Sequence, residues 1–85
     1  MKPAKEIEQT VNRMKKEAHE MPSRLVDLQN AISKNVSFID WQEISADQIA
    51  ETKIFNAAEA EAIVFILAET GGDLDSVDHW LVFGW

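Results

Sequence analysis

Apolar residues recur along the first third of the chain with a regular beat. Ile7, Val11, Met14, Ala18, Met21, Leu25, Leu28 and Ile32 are separated by alternating steps of four and three. Such a seam of two apolar positions in seven predicts helix with one narrow face turned to a partner. Glu6, Glu8, Arg13, Lys15, Lys16, Glu17 and Glu20 lie between them and suit solvated flanks. Pro22 interrupts the run, because it removes a backbone donor and crowds the preceding turn. Two arrangements follow: a helix of about residues 3–34 kinked at Pro22, or two helices, 4–20 and 23–34, folded back as a hairpin. The heptad phase survives across the proline, which favours the kink.

Three helix starts with capping-box spacing come next: Ser37 with Asp40, Ser45 with Gln48, and Asn56 with Glu59. The first would open a short helix over 38–44, and Val36 to Trp41 could form a strand instead. The second predicts a helix over 46–55 with Ile49, Ala50, Ile54 and Phe55 toward one side. The third opens a helix over 57–70, stopped by Gly71-Gly72. Inside it, Ala62-Ile63-Val64-Phe65-Ile66-Leu67-Ala68 has no polar face. A helix apolar all round is a buried one, so this segment is the expected centre of the core. The run could also be a buried strand, but the alanines ahead of it and the lack of a turn signal favour helix. Asp73 is placed to cap a last helix of about 74–81, with Leu74, Val77, Trp80 and Leu81 inward. The pattern reads as an all-α fold: a bundle of four to five helices with a long N-terminal heptad helix and a buried central helix near 57–70.

Charge changes the picture. Residues 1–34 carry seven basic and five acidic side chains, a net of +2, whereas residues 35–85 carry Lys53 and ten acids, a net of −9, which together give the −7 of the whole chain. We therefore read 1–85 as one domain made of a heptad arm, 1–34, and an acidic helical part, 35–85. An acidic half repels nucleic acid and anionic membranes and points either to a basic protein surface as partner or to no charged partner at all, the charge then serving solubility alone. The longest apolar run, seven residues, is too short to cross a bilayer. The N-terminus lacks the apolar core of a signal peptide, and cysteine is absent. Together these suggest a cytoplasmic protein.

Candidate chemistry is thin. His19 and His79 lie in different segments, and no nucleophile elbow is present. Asp73, Asp75, Asp78 and His79 gather oxygen and nitrogen donors but lack the glycine and distal glutamate of a calcium loop. Acidic caps at a helix start account for them, so no metal is expected. Gly71-Gly72 is followed by an aspartate that would repel phosphate. No cofactor and no catalytic residue is expected, and the chain reads as non-enzymatic.

Thr70-Gly71-Gly72-Asp73-Leu74 followed by Trp80-Leu81 resembles the ubiquitin-associated domains, whose second helix closes on a Thr-Gly-Gly-Asn/Asp turn before a third helix ending in Trp-Leu. The match covers about a quarter of the chain. Lys53-Ile54-Phe55 stands where that family has the Met-Gly-Phe/Tyr loop that contacts ubiquitin. The helix ahead of the glycines is about one turn longer than the family's, and Asp78 replaces a buried aliphatic residue. The resemblance implies a shared way of turning between two helices and, remotely, a ubiquitin-associated-like interaction module. No functional residue is carried over.

The leading expectation is thus a small acidic regulator or inhibitor that docks on a basic surface of a partner protein, imitating nucleic acid. Asp40, Glu43, Asp47 and Glu51 would form one helical ridge if that region is continuous. Asp73, Asp75 and Asp78 would form a second cluster, and the apolar tail would anchor through Phe83 and Trp85. The alternative is a self-assembling adaptor, a homo-oligomer joined through Ile7, Val11, Met14, Ala18 and Met21. Direct contact with nucleic acid or membrane is not expected.

Overall fold

The computed structural model describes residues 4–83, the side chain of Val82 excepted. Among these the chain is all helical: α1 (Lys5–Lys16), a single 3-10 turn (Ala18–Glu20), α2 (Met21–Ser33), α3 (Ala46–Glu51), α4 (Ala57–Glu69) and α5 (Leu74–Phe83). The helical bundle expected from the periodicity is what forms.

Its centre is α4. Ala60, Ala62, Ile63, Ile66 and Leu67 are fully buried, as expected of a helix without a polar face. Such a helix needs cover on several sides. Helix α1 lies on it with Val11 and Met14, α3 with Ile49, and α5 with Val77 and Leu81. Helix α2 closes the structure against α3 and α5, contributing Met21, Leu25, Leu28 and Ile32 to the same core. The heptad arm and the acidic part therefore share one core.

The N-terminal seam forms neither a kinked rod nor a hairpin. α1 ends at Glu17, whose φ of −110° and ψ of 18° leave the helical region, and the 3-10 turn follows. Pro22 falls in the first turn of α2, where its missing N–H has no helical partner to lose. The break thus precedes the proline by about a turn. α1 and α2 then diverge and do not pack on each other. The heptad phase still survives, because each helix turns its apolar stripe to the common core.

Two of the three capping boxes form. The Ser45 hydroxyl accepts from the Gln48 amide, and the Asn56 side chain accepts from the Glu59 amide at 2.8 Å while Glu59 accepts in return from Asn56 N–H. The Ser37 box does not form, and residues 38–44 are neither helix nor strand. Asp40 instead organises a local turn, accepting from Gln42 N–H on its side chain at 3.2 Å and from Glu43 N–H on its carbonyl. A seven-residue helix is marginal by itself, and no strand lies among the described residues for residues 36–41 to pair with. Ile39, Trp41 and Ile44 reach the core from irregular backbone. Helix α3 also stops early, at Glu51. Lys53 adopts a φ of +66°, which turns the chain toward Asn56.

α4 ends in a Schellman-type turn, with Gly72 N–H donating to the Leu67 carbonyl at 2.8 Å. Gly71 and Gly72 have φ of +72° and +83°. Gly72 also lies against the 41–43 turn, where a Cβ would come within 2.8 Å of Gln42 N.

Candidate docking surface

The residues expected to join two copies are inside the molecule. Val11, Met14 and Met21 are buried in the chain's own core, and Ile7 and Ala18 pack against it. The physical reason is the demand of α4 for cover. The stripe on α1 is wide enough to cap one side of that helix and is spent there. Dimerisation through this seam is therefore set aside.

The acidic residues are at the surface, but not as one ridge. Asp40 and Glu43 belong to the irregular turn, Ile44 and Ser45 separate them from α3, and Asp47 and Glu51 lie on α3. All four are exposed. The continuous helix needed for a single ridge is broken at Ile44–Ser45, where the backbone is extended to place the Ser45 cap. Asp73 and Asp75 are exposed, and Asp78 is half-buried. Asp73 caps α5, accepting from Asp75 N–H and from the Ser76 hydroxyl at 2.7 Å. Gly72 abuts Gln42, thirty residues away in sequence, so the start of the second cluster at Asp73 lies beside the 40–43 turn. None of these seven carboxylates is in an ion pair among the described residues.

Glu59 behaves differently. Its Oε1 accepts from Arg24 Nη2 at 3.2 Å as well as from the Asn56 amide. Arg24 also donates to the Ile54 carbonyl at 2.9 Å and lies over the Phe55 ring at 4.3 Å from its centroid. This arginine ties α2 to the start of α4. The sequence reading did not single it out, since nothing local distinguishes it from the other cations of the arm.

Two hollows adjoin the acidic clusters. Between the end of α2 and α3 lies a groove of two neighbouring cavities, of about 260 and 190 Å³, which share Ile32, Val36 and Gln48. Phe38, Ile39 and Ile44 extend its apolar floor, and Glu51, Asp40 and Glu43 line it. Phe38 is 82% exposed and Val36 40%. Neither was picked out from sequence. The available signal was two apolar residues in a stretch open to both a short helix and a strand reading. A second cleft, of about 230 Å³, separates α2 from α5, where Pro22, Leu25, Val26 and Leu74 face Asp75 and Asp78. Phe83 stands 74% exposed and packs on His79, with ring centroids 4.6 Å apart and the planes tilted by 38°. Trp41 and Trp80 are half-buried against the core, and Trp85 lies outside the described residues.

No protein-family model, curated protein or solved structure matches this chain. Among the described residues, no three His, Cys, Asp or Glu side chains converge as a metal-ligand set, and no helix is long and apolar enough to cross a membrane.

Proposed function

We propose that this protein is a small acidic binding protein that regulates or inhibits a partner by docking on its basic surface, without catalysing a reaction. The observation that carries this reading is the set of seven exposed or half-exposed carboxylates, Asp40, Glu43, Asp47, Glu51, Asp73, Asp75 and Asp78, which have no counter-ion among the described residues. A chain balancing its own charge would place lysine or arginine beside them. Beyond residue 34 it has Lys53 alone. Unpaired surface carboxylates steer a basic partner into contact and discriminate against acidic ones. Exposed Phe83 and Phe38 supply the apolar anchors that charge by itself does not provide.

The test is binding kinetics toward a partner recovered from a host lysate, at low and at physiological salt. Two neutralised variants accompany the wild type: one with Asp40→Asn, Glu43→Gln, Asp47→Asn and Glu51→Gln, the other with Asp73→Asn, Asp75→Asn and Asp78→Asn. Asparagine at position 73 keeps a cap on α5. On this reading association slows by about tenfold or more in at least one variant and falls steeply with salt, while both variants stay folded. An association rate indifferent to salt and to both sets of changes would remove the electrostatic basis of the proposal.

A further inference from the structure

We infer that the groove between α2 and α3 is the docking site for a basic amphipathic helix of the partner protein, an inference that rests on the acidic-binder reading and locates it. Two features choose the occupant. The first is the lining. Ile32 and Ile44 lie buried beneath the groove, and exposed Val36 and Phe38 line it beside the polar Asn35, Gln48 and Thr52. The charged residues that line the groove are Glu51, Asp40 and Glu43, all acidic. A segment that buries leucine-like side chains there while carrying lysine or arginine along its flanks satisfies both. The second is backbone economy. An extended peptide would need a strand edge to take up its N–H and C=O groups, and no strand lies among the described residues. A helix satisfies those groups internally and presents anchors at i, i+3, i+4 and i+7. The chain's own basic helix, α1, is excluded as the occupant from a second copy, because Val11 and Met14 are already buried beneath it.

Polarity follows from the rim. At one end of the groove Glu51 is close in sequence to Lys53, and Lys34 adjoins Asn35, so charge there is mixed. At the other end Asp40 and Glu43 have no basic neighbour in sequence. The basic flank of the guest helix belongs at that second end, beside Phe38.

The test uses the full chain, isotopically labelled, and a synthetic helix of about four turns with leucines on one face and lysines elsewhere. A second peptide carries glutamate in place of every lysine. The basic peptide should produce saturable amide shifts at Ile32, Val36, Phe38, Ile44 and Gln48, with affinity falling as salt rises, and the acidic peptide should produce none. Val36→Ser with Phe38→Ala should weaken binding by about tenfold or more. Both side chains are exposed, so this variant should melt as wild type does. Asp40→Asn with Glu43→Gln should weaken the basic peptide and abolish most of its salt dependence. No saturable shift, equal binding of the acidic peptide, or shifts centred on Val26, Leu74 and Asp78 would each overturn the assignment. If the lysate partner ignores the Val36 and Phe38 changes yet responds to charge neutralisation, the groove fails as the site while the acidic-binder reading stands.

Discussion

Single side chains decide how the two halves of this molecule are joined. Arg24 is the clearest case, with hydrogen bonds to Ile54 and Glu59, a weaker pairing with Glu17 at 3.7 Å, and Phe55 beneath its guanidinium. Arg24→Ala takes the cation from the largely buried Glu59 carboxylate, which keeps only the Asn56 N–H, and the side-chain donor from the Ile54 carbonyl. It should cost about 1.5–3 kcal/mol, the range for hydrogen bonds to charged groups, and lower the melting temperature by several degrees in a thermal scan. Arg24→Lys should recover part of this, because lysine keeps the charge but not the planar fork or the stacking. The two glycines make a second, internal comparison. Gly71 has nothing within reach of an added Cβ, so Gly71→Ala meets only the strain of a left-handed backbone, about 1–2 kcal/mol. Gly72 has that strain and the Gln42 backbone as well. Gly72→Ala should therefore be clearly the more damaging of the pair in urea titrations, and equal losses would contradict the packing of the 41–43 turn on the end of α4.

At the scale of elements, α4 sets the terms. Ile66→Ala and Leu67→Ala each remove a fully buried side chain and should cost about 2–5 kcal/mol. Either change leaving the melting temperature within a degree or two of wild type would contradict the place of α4 at the centre. The seam of α1 gives a sharper discrimination. Val11→Asp or Met14→Asp puts a charge against α4, and the expected outcome is loss of the far-ultraviolet helical signal at every protein concentration. A seam between copies would give a folded, dissociated monomer instead. The capping boxes act on the same scale. The boxes at Ser45 and Asn56 begin helices that have apolar residues to bury, Ile49 in one and Ile63 and Ile66 in the other. The spacing at Ser37 has the same chemistry and no helix: Ile39, Trp41 and Ile44 reach the core from the turn that Asp40 organises, so cap spacing alone does not start a helix.

Across the whole molecule the imbalance of charge has a stability consequence. The carboxylates after residue 34 repel one another across an exposed surface with little internal compensation. Added salt screens that repulsion, so the melting temperature should rise between about 10 and 150 mM salt, where the screening length falls from about 30 to 8 Å. A fall over that range would mean that attractive pairs outweigh the repulsion. The same uncompensated charge makes a basic partner favourable, so partner binding and salt should act on stability in the same direction.

Helix identity, the two working caps, the glycine stop and the buried centre near Ile63–Leu67 were legible in the sequence, because each depends on spacing within a few residues. So was the uneven charge, which needs no structure at all. The destination of the heptad stripe was not legible. A narrow apolar face reads the same whether it meets another copy or α4, and only packing decides between them. The acidic ridge failed for a related reason, since charge spacing is silent on whether the backbone between Glu43 and Asp47 continues as helix. The α2–α3 groove, with Val36 and Phe38 left uncovered, exists only once α2 and α3 are set side by side. Exposure is a property of what the rest of the chain leaves open, and no local pattern of residues records it.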